Sequence, residues 1–279
     1  MRDETAVLDT LRVWADDNER IRGMVLTSSR VIPGSTIDFL SDYDIELYVD
    51  DLAPFAASDE WLEFLGPIMV RWPYKPRSTM NPGWITRLVM FEDGVRVDFQ
   101  ITANKGIPAD AYANGRKVLV DKDGLFEQLH EPTYTEYLVK RPTDERYEEM
   151  VNEFWWDVIY VPKYLWRGEF SFAKYMLDHI LRHLFLHPMI EWYIGTKTNW
   201  SVNPGVWGRK FKYYLEAELW WQFEATYAGA DVEENWDAFF TMLDLFSTLG
   251  RAVGESLGLQ YPVDLEERVR KYCLWIRNQ

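Results

Sequence analysis

The chain has little of what secreted and membrane proteins usually contain. Its single cysteine, Cys273, excludes a disulfide within the chain, so we expect a reducing compartment, the cytoplasm. The first residues lack the apolar core of a secretion signal, and no stretch approaches the length of a membrane span. Internal repeats and low-complexity segments are also missing. We therefore expect a cytoplasmic protein that makes no membrane contact.

Positive charge is scarce as well. Lys and Arg together number 30 against 45 Asp and Glu, which gives a formal net charge of −15 and a pI of about 4.8. Such a chain would repel the phosphate backbone, so nucleic acid is not an expected partner. An acidic cleft would instead attract a cationic small molecule. The alternative interpretation is that the acidity serves only solubility.

Aromatic residues, in contrast, are abundant. They make up 16% of the 279 residues, and hydrophobic residues make up 47%, so a substantial core can form in one large or two medium domains. Ten of the fourteen tryptophans follow residue 150. Large aromatic rings pack cores, and they also line pockets for bulky polar ligands.

The hydrophobic pattern changes once along the chain. Up to Pro142 it alternates mostly with period 2, after an amphipathic helix at residues 3–17. The predicted strands are residues 21–27, 43–49, 87–92, 95–101 and 118–120. Loops are expected at Ser28–Leu40 and at Ser78–Gly83, the latter with a turn at Asn81–Gly83.

Beyond Arg141–Thr143 the apolar residues recur at helical spacing. Besides a stripe from Tyr147 to Val158, helices are expected near residues 170–187, 209–226, 233–256 and 263–277. We therefore predict an α+β protein. Residues 1–142 form a mixed sheet with flanking helices, and residues 143–279 form a helical bundle.

Three aspartates stand on the polar faces of two predicted strands. Asp42 and Asp44 are two residues apart, so their side chains point to the same side, and Asp98 projects from the polar face of a second strand. Hard divalent cations prefer carboxylate oxygens. We predict that the three aspartates bind metal; the alternative is a set of solvated acids on edge strands.

A small hydroxyl-rich turn precedes these acids. The backbone and hydroxyl groups of Ser28 and Ser29, with the charge of Arg30, are suited to hold phosphates, although an ordinary turn is the alternative. A phosphate turn beside a metal site is the minimal equipment for nucleotidyl transfer. In that reaction a hydroxyl attacks the α-phosphorus of a nucleoside triphosphate and pyrophosphate leaves.

Acids and indoles on the helical half favour a pocket wall for a polycation, through ion pairs and cation–π contacts. The residues concerned are Glu153, Trp155, Trp156, Asp178, Glu191 and Trp192. Core aromatics beside solvated acids are the alternative. A nearby repeat of His179, His183 and His187 favours a partly buried aromatic stripe over a metal site, because its first and third members lie two turns apart.

Motifs in order along nearly the whole chain resemble one family, the bacterial aminoglycoside 6-adenylyltransferases, which modify streptomycin. The resemblance is carried by Ser29–Arg30, Asp42–Ile45, Trp61–Gly66, Val97–Phe99, Val120–Asp123, Asn152–Trp156, Lys163–Arg167, Met189–Trp192 and Gly208–Lys210. It implies a polymerase-beta-like nucleotidyltransferase domain followed by a helical, substrate-binding domain. ATP would be the co-substrate and Mg²⁺ the cofactor. The acceptor would be a hydroxyl of the aminoglycoside, namely the one at the 6-position of streptomycin.

The resemblance also implies roles for individual residues. Asp42 and Asp44 would bind the metal, and Asp98 would be both a metal ligand and the candidate general base. Ser29 and Arg30, with Ser28 and Lys210, would contact the triphosphate.

One position departs from the family, which has Glu-Gly-Ser-Arg where this chain has Thr27-Ser28-Ser29-Arg30. If the turn requires a positive φ, Ser28 adds strain of about 1 kcal/mol. This departure keeps a binding-only homologue open as an alternative, beside a nucleotidyltransferase for a lincosamide or a protein hydroxyl. We expect a monomer or a small homo-oligomer.

Overall fold

The structure, a computed structural model, describes residues 2–77 and 83–279. The predicted loop at Ser78–Gly83 lies outside the described residues except for Gly83. The chain folds into two compact units, Met1–Glu136 and Tyr137–Gln279. The domain boundary predicted at Pro142 falls a few residues inside the second unit. In the described part of the chain, no helix is both long enough and apolar enough to cross a membrane.

The first unit is built on a six-stranded sheet with the order β3-β4-β5-β2-β1-β6. The strands are β1 (Ile21–Thr27), β2 (Tyr43–Val49), β3 (Ile68–Arg77), β4 (Trp84–Phe91), β5 (Arg96–Thr102) and β6 (Lys117–Asp121). Strands β2 and β5 are parallel, and the other neighbouring pairs are antiparallel. The sheet is therefore mixed, which confirms the predicted α+β class.

Strand β3 was not predicted. Its sequence contains Pro73, and proline removes a hydrogen-bond donor from a sheet, so the local pattern argued against a strand. The position of β3 at the edge of the sheet, with β4 as its neighbour, explains why the proline is tolerated.

Helices cover one face of this sheet. Helix α1 (Glu4–Asp17) begins at Asp3, whose carboxylate accepts a hydrogen bond from the Ala6 backbone N–H at 2.8 Å. Helix α2 (Ala53–Ala57) and a 3₁₀ segment at Glu60–Leu65 follow β2. The core beneath them includes the inward-facing residues of β2 and β5, namely Ile45, Leu47, Val49, Val97, Phe99 and Ile101.

The opposite face of the sheet carries the alternate residues. It is covered over its middle by Phe126 and Leu129, which pack with Tyr48 and Val25 in a second, smaller core. Asp44 and Asp98 lie on this same face, nearer the first residues of β2 and β5. Alternation along two strands therefore separates a buried apolar face from a face that carries acids.

The second unit is helical in its described residues. Its helices are α3 (Asp144–Asp157), α4 (Tyr160–Trp166), α5 (Phe170–Lys174), α6 (His187–Lys197), α7 (Phe211–Tyr214), α8 (Ala217–Ala225), α9 (Val232–Leu257) and α10 (Val263–Arg277). A π-helical segment, Tyr175–Leu186, joins α5 to α6 without interruption. The Thr143 hydroxyl caps α3, the Asp231 carboxylate caps α9, and Gly258 ends α9 with a φ of 79°.

The core of this unit is rich in aromatic rings. Phe154 of α3 stacks on Phe246 of α9 with ring centroids 3.5 Å apart, and the neighbouring Trp155 is fully buried. Aromatic rings bury large areas when they pack in a core. Much of the aromatic content of the second half is therefore explained by packing.

Candidate active site

The register of two parallel strands brings two of the predicted acids together. Asp44 of β2 lies directly opposite Asp98 of β5, although 54 positions separate them in the sequence. Neighbouring strands are about 4.8 Å apart, so the two carboxylates share one face at one level of the sheet. The third acid, Asp42, stands just before β2 and two residues before Asp44, so the alternation of side chains puts both on the same side.

Burial makes negative charge costly at this place. It raises the pKa of the Asp44 carboxyl to about 6, and the neighbouring carboxylates of Asp98 and Asp42 act in the same direction. Burial also raises the pKa of Asp98, while the adjacent Arg96 opposes that shift. A cation bound between these acids would relieve both the desolvation and the repulsion.

Arg96 supplies such a cation from within the chain. Its Nε donates to Asp98 Oδ1 at 2.9 Å and its Nη2 to Asp98 Oδ2 at 2.6 Å. Its Nη1 lies 3.4 Å from Asp42 Oδ2. Arg96 was not among the residues predicted for the site. The signal was present, because Arg96 stands two residues before Asp98 and therefore on the same face of β5.

The turn after β1 requires a positive φ at Ser28, the position where the family has glycine. Ser28–Arg30 forms one 3₁₀ turn, and Ser28 has a φ of 59°, in the left-handed region that favours glycine. The Ser28 side chain hydrogen bonds to the Asp44 carboxylate and lowers its pKa, against the larger effect of burial. The serine thus combines a strained backbone with a contact that glycine cannot make.

Arg30 is engaged inside the protein. Its side chain is 4% exposed, and its Nε and Nη2 donate to the backbone carbonyls of Asp42 at 2.8 Å and Ser41 at 2.6 Å. A third bond joins Nη1 to Glu4 at 2.7 Å, and the guanidinium lies over the Tyr43 ring. These contacts fix the segment that leads into Asp42 and Asp44. Contact of Arg30 with a triphosphate stays a prediction.

The donors fit a divalent cation by their chemistry, since all three are partly buried carboxylates whose charge is not fully compensated. Within residues 2–77 and 83–279, however, no three acid, histidine or cysteine side chains are already arranged around a common metal position. Arg96 bridges Asp42 and Asp98. Metal binding by the three aspartates therefore stays a prediction.

The second unit places the predicted substrate residues in different surroundings. Trp155 is fully buried, and its Nε1 donates to the Tyr261 hydroxyl at 2.9 Å, so its predicted place on a pocket wall is not supported. Its helical neighbour Trp156 is 63% exposed. The helical spacing explains the difference. Trp155 lies on the buried face of α3 with Phe154 and Val151, whereas Trp156 lies on the side of the helix that faces solvent.

The acids of this unit differ in how well their charge is compensated. Asp178 pairs with Lys174 at 2.8 Å and with Arg182 at 2.5 Å, and the exposed Glu153 lies 3.5 Å from Arg146. These pairs leave Asp178 and Glu153 with less attraction for an added cation.

Glu191 on α6 is different. It is partly buried, burial raises its pKa, and no described residue forms a hydrogen bond or ion pair with its carboxylate. Of the acids predicted to bind substrate, Glu191 has the most to gain from a cationic ligand.

Two further predictions concern the second unit. The rings of His179, His183 and His187 line up with centroids 6.3 and 4.6 Å apart, which confirms the predicted aromatic stripe. Lys210 lies in the segment before α7, where its backbone N–H donates to the Pro204 carbonyl at 2.9 Å. Its predicted contact with phosphate is not tested by this geometry.

The mixed sheet, the acids on its adjoining parallel strands and the following helical unit are the features expected of a nucleotidyltransferase, the class that the relatives' names give. The family model for streptomycin adenylyltransferase matches residues 1–276, and the chain belongs to that family.

Individual relatives agree with this assignment over almost their whole length. The chain is 32% identical to the aminoglycoside 6-adenylyltransferase of Bacillus subtilis (strain 168), covering 98% of this chain and 97% of that protein. It is 30% identical to the Campylobacter jejuni protein of the same name, covering 98% and 96%. The crystal structure of an aminoglycoside 6-adenyltransferase from Bacillus subtilis aligns over the full length of both chains, with a TM-score of 0.50 and 30% identity.

Proposed function

We propose that this protein transfers AMP from ATP to a hydroxyl of an aminoglycoside antibiotic and thereby confers resistance. Family membership supports the reaction class, and relatives covering nearly the whole chain carry the name aminoglycoside 6-adenylyltransferase. The observation that carries the proposal is the register of β2 and β5, which sets Asp44 beside Asp98. The hydroxyl at the 6-position of streptomycin is the acceptor we propose.

The first unit provides the groups that the transfer requires. Asp42, Asp44 and Asp98 would hold Mg²⁺, which neutralises the triphosphate and stabilises the leaving oxygen when it is bound. Asp98 accepts the proton of the acceptor hydroxyl as its oxygen bonds to the α-phosphorus. The bond from that phosphorus to the bridging oxygen breaks, and pyrophosphate leaves. Backbone N–H groups at Ser28 and Ser29 contact the phosphates.

The second unit is the proposed binding site for the cationic sugar. Glu191 offers an uncompensated carboxylate, and Trp156 offers an exposed ring for a cation–π contact. The net charge of −15 favours a cationic acceptor and opposes a nucleic-acid one. We propose that the enzyme acts in the cytoplasm, as a monomer or a small homo-oligomer.

The decisive experiment is incubation of the protein with ATP, MgCl₂ and streptomycin, with mass spectrometry of the antibiotic and an assay for pyrophosphate. We expect streptomycin to gain one AMP and pyrophosphate to form in equal amount. The Asp44→Asn variant is the control for contaminating activity. Neomycin-type aminoglycosides and a lincosamide, tested in parallel, define the acceptor.

The same experiment separates the alternatives. Modification of the lincosamide alone would contradict the proposed acceptor but keep the reaction class. Binding of ATP and streptomycin without release of pyrophosphate would identify a homologue that has lost turnover. The strained backbone at Ser28 would be one cause of such a loss.

A further inference from the structure

The carboxylates that would bind metal already have a partner in the free protein. Among the described residues, Arg96 is the one cation that forms ion pairs with Asp42 or Asp98. The contact with Asp98 is bidentate, at 2.9 and 2.6 Å, which is the strong geometry for a guanidinium and a carboxylate. The third contact reaches Asp42 at 3.4 Å, so one side chain spans two of the three acids.

The two cations compete for the same oxygens, although each carboxylate oxygen has two lone pairs and Arg96 uses one of them. Both Asp98 oxygens accept hydrogen bonds from Arg96, and these oxygens are the ones that a divalent ion would need. Electrostatics adds to this competition, since a guanidinium held at this distance repels an arriving cation. The contacts of Arg96 therefore weaken metal binding at these acids.

The surroundings allow the side chain to move. The Arg96 side chain is 46% exposed, so few packing contacts hold it in place. It also borders a cavity of about 290 Å³, which is lined by Ser41, Tyr43 and Phe39 among others. Solvent and this cavity therefore lie next to the guanidinium.

We infer that Arg96 is an internal counter-ion that occupies the carboxylate site of the free enzyme and competes with the divalent cation for Asp42 and Asp98. This inference rests on the proposed function, because it takes the three aspartates to be the metal site. Arg96 lowers the affinity for metal, and it compensates part of the charge of Asp42 and Asp98 when no metal is bound. It is a positioning residue for the site.

The test is direct binding of Mn²⁺ without nucleotide, measured by electron paramagnetic resonance on wild type and on the Arg96→Gln variant. We expect Arg96→Gln to bind Mn²⁺ at least about tenfold more tightly, because the competing charge is gone. We also expect Mn²⁺ to raise the Tm of the variant more than that of wild type. An Arg96→Lys variant, which keeps the charge but not the bidentate fork, should fall between the two.

Arg22→Gln is the matched control. Arg22 forms a comparable pair with Asp123 at the far strand-end of the same sheet, with its Nε 2.9 Å from Oδ2. We expect this variant to keep the Mn²⁺ affinity of wild type. A gain in affinity of similar size in Arg22→Gln would show a general effect of net charge and would overturn the specific role of Arg96.

The remaining outcomes separate this inference from the proposed function. Equal or weaker Mn²⁺ binding in Arg96→Gln, with binding abolished by Asp44→Asn, would overturn the counter-ion role and leave the proposed function intact. Absence of Mn²⁺ binding in wild type and in all variants, with and without a non-hydrolysable ATP analogue, would overturn both. If Arg96→Gln fails to fold, the comparison of wild type with Arg96→Lys decides the question.

Discussion

At the scale of single residues, Asp44 illustrates a conflict between stability and function. Its carboxyl is charged at neutral pH although burial and two neighbouring acids raise its pKa to about 6. A carboxyl with a raised pKa binds more protons in the folded state, so folding stability falls as pH rises from about 4 through 6. At pH 7 the free protein therefore carries the full cost of this charge.

We accordingly predict that Asp44→Asn abolishes adenylyl transfer but stabilises the protein. After a discount for partial exposure, the gain at pH 7 is about 1–2 kcal/mol. Urea unfolding at pH 7 measures it, and the gain should shrink toward zero near pH 4, where wild-type Asp44 is protonated. A variant that is less stable than wild type at pH 7 would contradict this account.

Ser28 gives a second prediction at this scale. The residue has a φ of 59° and hydrogen bonds to Asp44 through its side chain. Ser28→Ala keeps the backbone strain and loses the hydrogen bond, whereas Ser28→Gly loses both. We expect Ser28→Gly to be more stable than Ser28→Ala by about 1 kcal/mol in urea unfolding. Equal stability of the two variants would show that the turn relaxes to a negative φ.

At the scale of elements, the π-helical segment and α6 bury an imidazole without a partner. His187 is 5% exposed, lies between the rings of Phe211 and Phe223, and has no hydrogen bond from either ring nitrogen to a described residue. Burial lowers its pKa to about 4. Since the unfolded chain binds a proton near pH 6.5 and the folded protein does not, stability falls as pH drops from 6.5 toward 4.

The corresponding prediction compares wild type with His187→Phe, which suits the aromatic surroundings. Wild type should lose at most about 3 kcal/mol more than the variant between pH 7 and pH 4. Chemical denaturation across this range measures the difference. Parallel pH profiles of the two proteins would show that His187 is not the group responsible.

Elements also show what the sequence can and cannot predict. Alternation located β2 at residues 43–49, because one buried face imposes period 2 on a strand. The same rule placed Asp44 and Asp98 on polar faces. Alternation failed for β3, where Pro73 hides an edge strand. Helical spacing predicted a helix near residues 170–187, but it could not distinguish the π-helical turns of Tyr175–Leu186 from an α-helix.

The pairing of the site was harder to predict than its members. Local pattern gives the face of each residue but not its neighbour across the sheet, which is set by the parallel pairing of β2 with β5. The contacts of Arg96 with two acids depend on that pairing and on a side-chain conformation. For the same reason, the group of acids and indoles on the helical half predicted Trp155 as part of a pocket wall, but only the packing of α3 shows that it is buried.

At the scale of the whole molecule, the net charge of −15 should speed and strengthen the capture of a cationic aminoglycoside. We predict that KM for streptomycin rises with ionic strength while kcat stays nearly constant, since salt screens attraction between exposed charges. Glu191→Gln should raise KM and flatten this salt dependence. Steady-state kinetics from 0.05 to about 0.5 M NaCl measure both effects.

Glu255→Gln provides the control, because it removes the same charge from an exposed position on α9 of the same unit. It should leave both KM and its salt dependence close to those of wild type. A KM that is indifferent to salt in wild type would argue against electrostatic capture of the antibiotic.

The contacts of Arg30 have a practical consequence for anyone who handles this protein. The guanidinium ties Glu4, the first residue of α1, to the backbone of Ser41 and Asp42. The first turn of α1 is thereby connected to the segment that carries Asp42 and leads into Asp44. Proteolytic trimming of only the first few residues, or a bulky affinity tag fused there, would loosen that connection. A preparation damaged in this way would look correctly folded and yet show less of the proposed adenylyl transfer than the intact protein.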